Sequence, residues 1–133
     1  MKKLLKREKP MATTNIVDKD GNTISASDAT VPSDRHFRGA WTLSGTTITE
    51  DLATAKDIFK DKIREVRKPL LEAEDVVYMK AMEADDSSAK SASVTKKTNL
   101  RNAPAASAIT NASSISALKA AWDTDLLGDS PYA

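Results

Sequence analysis

The chemistry available to this chain is narrow, because its 133 residues contain no cysteine and a single histidine. No set of Cys and His ligands for a structural zinc ion exists within it, and disulfide frameworks and thiolate chemistry are excluded. His36 follows Asp34 at a spacing that invites a catalytic pairing. No Ser lies in a Gly-x-Ser-x-Gly elbow to use it, however, and a His beside Phe37 and Arg38 reads as a structural or exposed side chain. Asp18, Asp20 and Asn22 alternate like calcium ligands, yet glycine stands at loop position 4 instead of 6, and position 12 is Ala29 instead of a bidentate Glu. The acids at Glu72, Glu74 and Asp75, and at Asp85 and Asp86, are neighbours that diverge on a helix, so they read as a solvated face. Four dispersed glycines make no phosphate-cradling loop. Asn111-Ala-Ser113 is a glycosylation sequon without a secretory signal to give it meaning. The residues predict no enzyme, no cofactor, no metal and no small-molecule substrate.

Charge is nearly balanced, with 20 Lys and Arg against 19 Asp and Glu. It is concentrated at the start, where Lys2, Lys3, Lys6, Arg7 and Lys9 face only Glu8. The reading is a basic arm over residues 1–11, docked on a partner or solvated, and not a general nucleic-acid binder. The apolar run after Met1 stops at Leu4-Leu5, too short for a signal peptide. No stretch approaches the roughly 18 apolar residues of a membrane span, so synthesis in the cytoplasm and no membrane partner are expected. Met11 is a plausible alternative start.

The elements around these residues are mostly helical. Residues 12–48 read as a small β-hairpin region. Ile16-Val17 and Thr23-Ile24 flank an Asp/Gly/Asn turn, and a second strand-like patch spans Asp34–Trp41 and Thr42–Thr49 with Ser44-Gly45 as its turn. Residues 49–103 read as a helical hairpin. Thr47 and Glu50 fit a capping box, and Leu52, Ala55, Phe59, Ile63, Val66, Leu70, Ala73 and Val77 recur at a mean step of about 3.6 residues. Pro69 interrupts this stripe, so a kinked or abutting pair of helices over 50–68 and 69–84 is expected. A second helix from Ser88 to Asn102 should turn Val94, Lys97 and Leu100 inward, ending at Pro104. Residues 104–133 read as a linker, a short helix capped by Ser113 with Ile115, Leu118 and Trp122 at helical spacing, and an irregular tail. The fold class is mainly α: an elongated, kinked helical hairpin with a short C-terminal helix and the small N-terminal β region. With six aromatics in the whole chain the core is thin. Stability is therefore expected from packing on copies of itself or on another protein, through Leu52, Phe59, Ile63, Val66, Leu70, Val77, Tyr78, Met82 and Trp122.

The segment Ile63-Arg-Glu-Val-Arg-Lys-Pro-Leu-Leu-Glu-Ala-Glu-Asp75 resembles tail-associated and tail-fibre assembly proteins of tailed bacteriophages. Leu100-Arg101 and Leu118-Lys-Ala-Ala-Trp122 are similar to later parts of that pattern, and Phe37-Arg-Gly-Ala-Trp41 to a motif preceding the helix. The resemblance covers residues 34–122. It implies a non-enzymatic structural protein of the virion tail, baseplate or fibre-attachment region. The coiled-coil-like helices would pack into trimers or multiples of six and against other tail proteins, with Phe37, Arg38 and Trp41 as a docking motif. The alternatives are a tail-fibre assembly chaperone that leaves the finished virion, and a small nucleic-acid-binding phage protein using the basic arm.

Overall fold

The computed structural model describes residues 14–133; the basic arm with Lys2, Lys3, Lys6, Arg7 and Lys9, and the alternative start at Met11, lie outside them. The chain is mainly α with a small N-terminal β region, and it divides into two compact units, Met1–Thr54 and Ala55–Ala133.

In the first unit β1 (Asn15–Val17) pairs antiparallel with β2 (Thr23–Ser25), and β3 (Trp41–Ser44) with β4 (Thr47–Glu50). Each turn uses glycine where the backbone needs the left-handed region, Gly21 at φ +87° and Gly45 at φ +63°. Residues expected to continue the second hairpin upstream instead form a short 3₁₀ turn, Arg38–Ala40. Asp18 ties the hairpins together. Its Oδ1 accepts the N–H groups of Asp20 (2.9 Å) and Asn22 (2.8 Å), and its Oδ2 accepts Asn22 Nδ2 (3.2 Å) and the Leu43 N–H of β3 (2.9 Å). Phe37, Ala40, Trp41 and Ile48 are the buried apolar residues among the described residues of this unit.

The long helix α1 (Leu52–Glu83) starts after Asp51, not at the expected Thr47–Glu50 box, because those residues are spent on β4. Asp51 accepts from the Thr54 hydroxyl. That bond, Lys19 and the Thr54 and Ala53 N–H groups hold its carboxyl below the ordinary value, as expected of a helix cap. The abutting pair of helices that Pro69 allows does not form: α1 runs through it as one helix. Pro69 and Glu65, whose carbonyl loses its donor, are both exposed, so water can satisfy that carbonyl.

α1 ends in a Schellman turn, with Asp86 N–H on Ala81 O (2.9 Å), Asp85 N–H on Met82 O (3.1 Å) and Asp85 at φ +52°. The next residue caps α2 (Ser87–Asn102), the Asp86 carboxylate accepting the Ala89 N–H at 3.0 Å. The helices then run back antiparallel. Ser93 Oγ donates to Glu74 O (3.3 Å), and the Arg67 guanidinium reaches the Leu100 and Arg101 carbonyls at the end of α2 (3.3 and 2.7 Å).

The rest of the chain turns back onto the first half of α1. After a 3₁₀ turn at Ala103–Ala105 come α3 (Ser107–Thr110), α4 (Ile115–Ala120) and α5 (Thr124–Leu127). Ser114, one residue later than expected, caps α4. The tail expected to be irregular is packed. Phe59, Trp122 and Tyr132 form an aromatic triangle with centroids 5.4 to 6.0 Å apart, Tyr132 stacked on Phe59 and Trp122 edge-on to both. Trp122 Nε1 donates to Gly128 O at 3.0 Å. Ala55, Ile63, Leu100, Ile109, Leu118 and Leu127 complete this core.

Candidate partner-binding surface

The residues assigned to partner contact separate by depth. Phe59, Ile63 and Trp122 are enclosed in the second unit's own core, so their packing is intramolecular. Leu52, Val66, Leu70 and Tyr78 are half-buried. Val77 and Met82 stand out, 47% and 51% exposed. The change along α1 has a local cause. The small Ser93 lets α2 approach at Glu74, so Glu74 and Ala81 take the buried side there, and the stripe through Ala73 and Val77 rotates off it. Val94, expected inward on α2, is 49% exposed, while Ser93 and Leu100 are buried.

After Pro69 the apolar positions widen to Leu71, Val76, Tyr78, Met79 and Met82, a pattern that predicts burial on more than one side; three of them instead stay outside as an apolar row. Val76, Met79 and Met82 are 54%, 58% and 51% exposed and follow each other at i, i+3 and i+6. At about 100° and 1.5 Å per residue they form one slanted ridge about 9 Å long, turned from the Glu74–Ala81 side. Glu72, Asp75 and Glu83 are one helical turn from members of the ridge and give it an acidic border. Lys97 answers Asp75 at 2.6 Å and lies 5.1 Å from the Tyr78 ring, so the border is partly neutralised on the α2 side.

Comparison with protein-family models, curated proteins and solved structures finds no match.

In the first unit the Phe37-Arg-Gly-Ala-Trp41 motif is mostly internal. Phe37 is fully buried and Trp41 is 2% exposed, so neither is offered to a partner, whereas Arg38 is exposed. Arg35, three residues before it, joins it. Each guanidinium carbon lies 5.9 Å from the centroid of the Trp41 ring. The Asp34 carboxylate accepts the His36 N–H at 2.8 Å and faces His36 Nδ1 at 3.0 Å, a local turn. Asp18 spends both carboxylate oxygens on N–H donors, of which Leu43 N–H contributes most to holding its pKa down to about 2. Among the described residues no helix is long and apolar enough to cross a membrane.

Proposed function

We propose that this chain is a non-enzymatic structural subunit of a bacteriophage tail, baseplate or fibre-attachment region, working through helix-mediated packing on copies of itself and on neighbouring tail proteins. The observation that supports the packing role is the exposed row Val76, Met79 and Met82, with Val77 and Val94 also exposed, on a hairpin whose opposite side is already filled. Contiguous apolar surface rimmed by charge is what protein–protein contacts use. The tail location rests on the resemblance of residues 34–122 to tail proteins.

Sedimentation analysis of the full chain tests the packing. The native chain should self-associate, and Met79→Glu with Met82→Glu should leave it monomeric with an unchanged melting temperature, since both side chains are half exposed. Self-association that survives both changes places the interface elsewhere. Quantitative mass spectrometry of gradient-purified particles tests the location. Fixed copies per virion, in multiples of three or six, support the structural role, while presence in infected lysate but absence from particles indicates the assembly chaperone.

A further inference from the structure

The first unit holds a cleft of about 540 Å³ that shares no residue with the α1 row. Its lining includes Thr14, Asn15, Ile16 and Val17 from the first hairpin and Arg35, Arg38 and Trp41 from the segment before and at the start of β3. Three features describe what it would accept. The first is charge. Arg35 and Arg38 converge on one indole ring, no acidic residue lines the cleft, and neither guanidinium has a carboxylate partner among the described residues. The second is a rigid base, since the Trp41 ring beneath both guanidiniums is 2% exposed and packed into the unit.

The third is a strand edge. The Ala26 N–H bonds to Thr14 O (2.9 Å) and the Asp18 N–H to Asn22 O (2.8 Å), so residues 14, 16 and 18 occupy the hydrogen-bonded positions of the β1–β2 ladder. Asn15 and Val17 then direct their own N–H and C=O groups away from β2, and no backbone partner meets them among the described residues. Free at Asn15 and Val17 and closed at Lys19, whose N–H bonds to Trp41 O (2.9 Å), this short edge presents alternating donors and acceptors.

We infer that this cleft binds an extended acidic peptide segment of a partner protein, which adds as a strand to the outer edge of β1 and places a carboxylate between Arg35 and Arg38. Guanidinium forks match carboxylate and phosphate alike. The edge discriminates between them, because it offers C=O groups as well as N–H groups and so needs an occupant carrying both. A peptide backbone does, whereas a phosphodiester chain is an acceptor only. Ile16, Val17 and Ala26 supply the apolar part that alternate side chains of an added strand would cover.

Fluorescence anisotropy with the full chain and a labelled octapeptide of alternating Val and Glu tests this. Three further probes complete the set: the Val/Gln analogue, a Val/Glu peptide N-methylated at alternate nitrogens, and labelled oligothymidine. The Glu peptide should bind at least about tenfold more tightly than the Gln peptide, the order of difference that a charge-assisted pair supplies. N-methylation should weaken binding similarly. Arg35→Gln with Arg38→Gln should erase the Glu/Gln difference without moving the melting temperature, both side chains being exposed. Arg38→Lys, which keeps the charge but loses the fork, should give an intermediate affinity. Equal affinity for Glu and Gln peptides, indifference to N-methylation, absence of peptide binding at millimolar concentration, or preference for oligothymidine would each overturn the inference.

Discussion

Asp18 shows how far a single residue's role extends beyond its neighbours. The turn Asp18–Asn22 was legible from its Asp, Gly and Asn content, and it forms where expected. Its larger role was not legible, because the donor that matters most, the Leu43 N–H, comes from 25 positions further along the chain. Both carboxylate oxygens are filled by N–H groups. The folded carboxyl titrates near 2 instead of its ordinary 3.8. The folded state therefore holds this group ionised more strongly than the unfolded chain does. Its contribution is complete above pH 4 and should be lost as pH falls toward 2. Acid unfolding followed by circular dichroism should accordingly move to lower stability in that window, and Asp18→Asn should flatten the dependence. Tyr132 gives the opposite end of the scale. Burial, helped by Glu65, raises its pKa above 10.0. A raised phenol favours the folded state below the unfolded pKa, and that advantage disappears as pH climbs past 10. Tyr132→Phe should remove this alkaline loss from urea titrations run between pH 9 and 11.

At the scale of elements, the helical hairpin was readable because two signals agree over a long span: periodic apolar spacing and punctuation at Asp85-Asp86 and Pro104. What failed were local competitions. Thr47 and Glu50 look like a cap, but pairing with Ser44 and Trp41 claims them for β4. Pro69 looks like a break, but it faces solvent on a helix long enough to carry it. If so, Pro69→Ala should restore the Glu65 carbonyl's partner and stabilise the protein by up to about 3 kcal/mol, raising its chemical denaturation midpoint. The turn after α1 makes a second prediction. Asp85 holds the left-handed position that glycine ordinarily takes, so Asp85→Gly should stabilise by about 0.5 to 1 kcal/mol in the same assay. The facing of α1 beyond Leu70 was not legible, since it is set by Ser93, a small residue on another helix.

Across the whole molecule, the sequence carried the fold class, but not which apolar side chains the chain keeps for itself. Phe59 and Met79 are both apolar residues on α1, yet one is fully buried and the other 58% exposed. The difference is made by α3 to α5 and the tail, which turn back over Phe59 and leave the Met79 side uncovered. Phe59→Ala should thus cost about 3 to 5 kcal/mol in equilibrium unfolding, as an internal cavity does.

The aromatic triangle also bears on the order of events in folding. Its stacked members, Phe59 and Tyr132, lie 73 positions apart in the chain (59 to 132), whereas the Schellman turn and the α1–α2 contacts join residues much closer together. Closing so long a loop is entropically costly before any contact rewards it. The hairpin should therefore form in the rate-limiting step and the triangle after it. Stopped-flow measurements on Tyr132→Ala should show unfolding accelerated in proportion to the lost stability, with the refolding rate nearly unchanged. The last residues of the chain would then act as a latch, governing how long the second unit stays closed once folded and not how quickly it is reached.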